Sequence, residues 1–422
     1  MITPSYGITS TERVLPRLAL DFTTAVLDPR VTVTRALNTA TRVNSSGYIE
    51  GVNADLPRFD YSPASVGTSR GLLIEESRIN ALPRSQEFEN NTAWEKSGTA
   101  AITADQIAAP DNTQTADLFR CGSTAASEVR RVGQTIAAGS HTLSIFARKE
   151  VSSYVVVQVQ DITTSSFQRV WFNIELGTVG SSTSAGTNIT LLSTKIDPYA
   201  NGFYRCSISV SLTAGTTTGR TTFFLSEGNG VFTGTALSGI YIWGAQLEAG
   251  AFATSYIPTT STSLTRNADV VSMTGTNFSD WFNASEGTFS IDCIINTKSS
   301  AQIVMEMSDG TTSNRLQFQR DAGSAVLSYV AINSGSITVN LQKASAFVND
   351  VASITAAYKL NNYGVAVNGG ATTTDTSSAV PAVDRMRIGA TVAGTALSNG
   401  WYQKILFYPQ RLTDAEIQAF SK

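Results

Sequence analysis

Residues 203–212 read FYRCSISVSL, in which Cys206, Ile208, Val210 and Leu212 alternate with Arg205 and three serines. Only an extended strand, whose successive side chains point to opposite faces, collects those four apolar groups on one side. The same two-residue period, or a short β-branched run, recurs at 141–148 (HTLSIFAR), 154–160 (YVVVQVQ), 170–175 (VWFNIE), 238–247 (SGIYIWGAQL) and 288–295 (TFSIDCII). Further candidates lie at 301–307, 315–320, 325–332, 336–341, 352–358, 363–367, 386–388 and 401–407. Gly, Asn and Ser separate these runs and helical periodicity is nearly absent, a pattern of antiparallel sandwiches rather than α/β units. Residues 413–421 are the exception. Thr413 can cap a helix there, Glu416 completes a capping box, and Ile417 with Phe420 offers an apolar edge.

A chain of 422 residues exceeds one hydrophobic core, so two or three domains are expected. Residues 1–82 hold short, broken strand candidates at 18–22, 31–35, 48–52 (after the turn NSSG) and 71–75, and are expected to form a small β-rich attachment module. Residues 83–260 carry seven or eight clearer strands, enough for a jelly roll. The Thr/Ser-rich stretch 259–268 is expected to be a linker or a crossing strand. Residues 270–422 form a second sandwich, with Asn368-Gly369-Gly370 as hairpin turn residues tolerant of positive φ. The expected fold is therefore all-β: two antiparallel jelly-roll β-sandwiches, a small β-rich N-terminal module and a short C-terminal helix.

Charged residues make up 15% of the chain, well below the ~25% of ordinary soluble domains, and the net charge is −3. With no basic cluster, no nucleic-acid partner is expected. The N-terminus lacks the basic start and long apolar run of a secretory signal, and no stretch approaches a membrane span. A soluble chain made in the cytoplasm, without membrane insertion, is expected. Cys121, Cys206 and Cys293 are distant and odd in number, which suits small buried hydrophobes. His141 is the sole histidine, and no G-x-S-x-G elbow accompanies it, so neither a Ser–His–Asp triad nor an N/S zinc site is expected.

Glycoside hydrolysis needs two carboxyl groups facing each other across a cleft. Glu75 and Glu76 are adjacent and point to opposite faces of a strand, while Glu248 and Glu306 have no acidic partner at strand spacing. No enzyme activity, cofactor or metal is expected; Asp269 (in RNADV) and Asp309 (in SDGTTSN) are loop acids without the donor set of a calcium loop. Sugar binding requires less, an aromatic platform beside amide or acid groups. Trp94, Trp171, Trp243 and Trp401 suit sandwich cores. Trp281, beside Asn283 and Glu286 at a segment start, is the candidate glycan-binding site.

Residues 241–258, YIWGAQLEAGAFATSYIP, resemble a motif that recurs in bacteriophage virion proteins, where it closes a jelly roll. Around it, in the same order as in that family, stand VLDPRVTVTRA (26–36), PRFDYSPASVGTSRGLLIEESRIN (57–80), RSQEFENNTAW (84–94), TSLTRNADVVSM (262–273) and YPQRLTDAEIQAF (408–420). Together they resemble phage head-fibre, head-spike and tail-fibre proteins, with a jelly roll like the carbohydrate-binding sandwiches of glycoside hydrolases and a C-terminal laminin-G- or concanavalin-like jelly roll. The resemblance implies a subunit on the virion surface, joined to other virion proteins (capsid or tail) through its N-terminal region. It also implies a homo-oligomer, with a trimer as one form, and host surface polysaccharide as a partner. Two alternatives stand beside adhesion: a decoration protein that stabilises the particle without binding glycans, and a polysaccharide depolymerase.

Overall fold

The computed structural model describes residues 14–122, 126–296, 298–347 and 350–422. Two compact units emerge. Among the described residues, one comprises those of 34–70 and 76–269, the other those of 14–33, 71–75 and 270–422. Both are antiparallel β-sandwiches, so the all-β class expected from alternation is what forms.

In the first sandwich one sheet runs, in spatial order, Ile189–Pro198, Tyr204–Leu212, Gly139–Lys149, Gly239–Ala249, Gln114–Cys121 and Ala100–Ala108. The opposing sheet runs Thr178–Ala185, Ser166–Asn173, Tyr154–Asp161, Thr216–Ser226, Glu128–Ile136 and Glu95–Ser97. The alternation of Tyr204–Leu212 resolves as read: Cys206, Ile208, Val210 and Leu212 enter the core between the sheets, where they meet Leu143, Ile145, Val155, Val157 and Phe223. These are twelve strands, more than the seven or eight visible in the sequence. The additional ones are mostly polar. Thr178–Ala185 (TVGSSTSA) is an exposed edge strand, held by backbone pairing to Ser166–Asn173 rather than by burial.

The outward side of the first sheet is also apolar at Phe146 and Trp243, which pack with Val43, Ile49 and Tyr256. Val43 and Ile49 belong to the hairpin Ala40–Val43/Ile49–Val52, turned by NSSG with Gly47 at φ +86°. Leu264–Arg266 pairs with Arg78–Asn80, so the Thr/Ser-rich stretch contains a crossing strand.

The second sandwich sets one sheet in the order Thr373–Asp375, Tyr363–Val367, Val351–Lys359, Glu286–Ile295 and Gly400–Tyr408. The other runs Thr32–Thr34, Val270–Thr274, Arg385–Ile388, Gln302–Ser308, Arg315–Arg320, Leu327–Asn333 and Ser336–Lys343. Residues from the start of the chain cover the free edge of Gly400–Tyr408. Leu18–Asp21 pairs with residues 404–407, and Leu72, Leu73 and Ile74 pair with residues 400–402. Gly71 permits this approach, since its φ is +96° and a Cβ there would lie 2.2 Å from the Tyr402 carbonyl oxygen. The Asn368-Gly369 turn has positive φ at both residues, with the Gly370 N–H bonded to the Val367 carbonyl at 2.9 Å. Helix Asp414–Phe420 starts on the expected Thr413–Glu416 capping box and buries Ile417 against Ala357, Ala366 and Tyr408.

The N-terminal region departs from the expected separate module over 1–82. Its described residues are β-rich, but 14–33 and 71–75 are strands of the second sandwich, while 34–70 and 76–82 belong to the first. Short strands bury too little to stand alone and find their partners on existing sheets. The part of the expected attachment module at residues 1–13 lies outside the described residues.

Candidate functional site

Trp281 does not form a platform. It is 1% exposed, its ring lies 4.9 Å from Phe278 and 5.0 Å from Phe407, and its indole N–H donates to the Asn277 carbonyl at 2.9 Å. The amide of Asn283 donates to the Pro409 carbonyl at 2.7 Å. Glu286 accepts the Arg411 backbone N–H at 3.0 Å and pairs with Lys359 at 3.3 Å. This trio closes the second sandwich, because a segment leaving one sheet for the next buries its large ring and ties down its polar groups. Trp94, Trp171 and Trp243 are likewise fully buried, while Trp401 is half-buried.

The family-like motifs converge on a buried polar network in the first sandwich. Asp269 joins Arg35, at 2.8 Å, and Arg58 in an ion triplet whose side chains are at most 2% exposed. Arg35 also donates to the Asn53 and Leu56 carbonyls, at 2.6 and 3.1 Å, and Arg58 to that of Thr41 at 3.2 Å. Asn80 binds the backbone of Ala245, Leu247 and Ile257. Glu248 accepts Gln246 at 2.7 Å and both the N–H and hydroxyl of Thr254 at 2.9 and 2.6 Å. At Gly250 a Cβ would strike the Arg78 guanidinium at 1.7 Å. These residues hold the fold.

The other candidates are also engaged. His141 bonds the Ala137 carbonyl at 2.9 Å, and burial holds its ring below the usual imidazole range. Glu306 is buried, which raises its carboxyl, and it accepts the Val392 N–H at 2.8 Å. Asp309 binds Thr311 and Asn314 within its own turn and is thereby lowered. All three cysteines are buried.

One open cleft lies at the loop end of the first sandwich. It has a volume of about 520 Å³ and is lined by Asp161, Thr163, Thr164, Asn188, Ala214 and Thr216 among others. Burial would raise Asp161, but bonds from Thr164, Thr216, Asn188 and the Thr163 N–H outweigh it and bring it down to about 2. With four donors at 2.7–3.0 Å the carboxylate has little capacity left for a ligand. The cleft is a built loop junction.

The outward face of the opposing sheet is different. Val155, Val157, Val159, Val170, Phe172, Phe223 and Leu225 point into the core. Their strand neighbours therefore face out. The cross-strand register sets Gln158 between Arg169 and Thr222, and Gln160 between Phe167 and Arg220. The Arg169 guanidinium lies 4.0 Å from the Phe167 ring centre, 4.6 Å from Phe232 and 5.6 Å from Phe224. It makes no hydrogen bond or ion pair among the described residues. Arg220 donates from one Nη to Gln160 and has no carboxylate partner among them. The nearby carboxylates of Glu95 and Glu128 both pair with Arg130, at 3.2 and 2.5 Å.

Buried polar atoms of this face find no partner among the described residues: Nε of Arg169 and Arg220, Oε1 of Gln158 and Oγ1 of Thr222. Burial lowers both arginines and the Arg220 charge lowers Arg169 further, against a smaller raising effect of the nearby Glu128 carboxylate on both. Two cations without an ion pair among the described residues, one of them backed by rings, can hold an anionic or hydroxyl-rich ligand, the rings supplying an apolar surface beside the donors. Sequence reading missed these residues. The signal was there in the strand FQRVWFN, where Phe167, Arg169, Trp171 and Asn173 share one face, and in the Val/Gln alternation of YVVVQVQ.

No family model matches the sequence, and no curated protein matches it. Among solved structures, the Ruminococcus gnavus IT-sialidase CBM40 bound to α2,3-sialyllactose is similar over 33% of this chain and 83% of its own, at 17% identity and a TM-score of 0.30. Mouse laminin α1 chain domains LG4–5 match over 84% of this chain and 92% of their own, at 8% identity and a TM-score of 0.25. Trypanosoma rangeli sialidase matches over 73% and 60%, at 10% identity and a TM-score of 0.29. Similarities this distant do not bear on function.

Proposed function

We propose that this chain is a non-catalytic subunit of a bacteriophage particle surface, a fibre or spike component that binds host surface glycans. The observation that carries glycan binding is the outward face around Arg169 and Arg220, where buried polar atoms without partners among the described residues lie beside the half-buried rings of Phe167 and Phe232. The virion setting rests on the ordered set of motifs from 26–36 to 408–420. Attachment to other virion proteins is assigned to the N-terminal region, where Leu15, Val26, Leu37, Leu56 and Val66 are large apolar side chains left in solvent. A homo-oligomer, as in the fibre proteins the sequence resembles, completes the proposal.

The full-length protein is expected to bind purified host surface polysaccharide and to compete with particle adsorption. If it binds none and adsorption is unchanged, while particles lacking it lose resistance to heat or low salt, the chain is a decoration protein instead. Removing residues 1–82 is not a clean test of attachment, because it strips strands from both sandwiches. Charge substitutions at Leu37 and Val66 leave the strands in place and test the same contact.

A further inference from the structure

We infer that the glycan held on this face is acidic, a polysaccharide bearing sugar carboxylates that Arg169 and Arg220 clasp. The inference rests on the glycan-binding reading and narrows its ligand class.

Three observations lead there. First, Arg169 and Arg220 lie on one face, on the two strands that flank Tyr154–Asp161, opposite Gln158 and Gln160 respectively, so their positive charges act on one patch. A protein surface tends to offset such a pair with a carboxylate. The nearby candidates, Glu95 and Glu128, are occupied by Arg130.

Second, Arg169 is held by rings, with Phe167 and Phe232 both within 5 Å of its guanidinium carbon. Contact with aromatic faces stabilises the cation and fixes its plane without using any N–H. The planar fork therefore stays available, and such a fork matches a carboxylate through two parallel bonds. A lysine would supply charge without that geometry.

Third, Gln158 and Thr222 are fully buried, yet Oε1 of the one and Oγ1 of the other lack partners. Sugar hydroxyls next to the carboxylate can supply both a donor and an acceptor there. The aromatic edges would take the apolar face of the sugar ring. Phe232 is seated by neighbouring contacts, 4.7 Å from Trp171, whose indole N–H donates to the Val231 carbonyl at 2.9 Å.

The test uses the full-length protein and a panel of defined polymers: alginate, polygalacturonate, hyaluronan and polysialic acid as acids, and dextran and mannan as neutral controls. Each acid that binds is also presented after chemical reduction of its carboxyl groups to alcohols. At least one acidic polymer is expected to bind, and carboxyl reduction to weaken it by about tenfold or more. Arg169→Gln and Arg220→Gln should each produce a similar loss, and Arg169→Lys should fail to restore binding. The Arg169→Gln protein should keep its thermal midpoint or gain, because it loses a half-buried charge that has no ion pair among the described residues.

Equal binding to native and carboxyl-reduced polymers, or to the neutral polymers alone, overturns the acidic ligand while leaving glycan binding intact. Binding to none of the panel overturns the acidic ligand, and if host polysaccharide is also ignored, glycan binding falls with it. Equal capture of dextran sulfate, abolished by moderate salt and unchanged by Arg169→Gln, marks general charge attraction and also overturns it. So does an Arg169→Gln protein that melts lower but binds as before.

Discussion

At the scale of single residues, the same amino-acid types serve opposite ends depending on what surrounds them. Trp281 is a wall of the second sandwich: it touches Phe278, Phe282, Phe289 and Phe407 and leaves 1% of its surface to water. Trp281→Ala should therefore cost about 3–5 kcal/mol of stability, seen as a lower midpoint in urea, and any loss of ligand binding should track unfolding. Selective loss of binding in a protein of unchanged stability would restore Trp281 as a contact residue. Asp161 makes a second residue-scale prediction. Its folded-state value, about 2, lies below the ordinary carboxylate value of 3.8, so its contribution to stability is complete above about pH 4 and lost as pH falls toward 2. Asp161→Asn should melt lower at neutral pH and show a flatter decline between pH 4 and pH 2 than the parent. Superimposable pH profiles would mean that the Thr164, Thr216 and Asn188 bonds do not favour the charged form. The face shared by Phe167 and Arg169 was legible in the alternation, but the burial of Trp281 and the lack of an ion pair at Arg169 and Arg220 were not, because one-dimensional spacing shows which face a residue takes and not what covers it.

At the scale of elements, legibility followed hydrophobic contrast. Tyr204–Leu212 and Gly139–Lys149 were plain because one side is strongly apolar. The capped helix Asp414–Phe420 was plain because Thr413 and Glu416 announce its start. Thr178–Ala185 and Ile189–Pro198 were obscure, since edge strands rich in Thr and Ser are defined by the neighbour they bond. Edge strands also decide what can fold alone. Residues 270–422 leave the outer side of Gly400–Tyr408 bare, because its partners there are Leu18–Asp21 and residues 72–74. Expressed by themselves, residues 270–422 should aggregate or unfold without a cooperative transition. A single sharp melt of that fragment, matched by near-UV circular dichroism of a fixed core, would show that the borrowed strands are dispensable.

At the scale of the whole molecule, the two sandwiches were visible in the sequence, but the assignment of the first 82 residues was not. Broken runs such as LALDF and GLLIE look alike whichever sheet they join, and only long-range pairing separates them. The chain thus visits the second sandwich, leaves for residues 34–70, returns for 71–75, builds the first from 76–269, and comes back for the remainder. This order has a consequence in time. Asp21 leaves the ribosome well before its partner Lys404. At ~5–20 residues per second the early strand waits on the order of tens of seconds, long after residue 269 has allowed the first sandwich to close. Closure of the second sandwich therefore waits until Gly400–Tyr408 has been made. A chain that stopped short of Gly400 would leave Leu18–Asp21 and residues 72–74 without the strand they pair with.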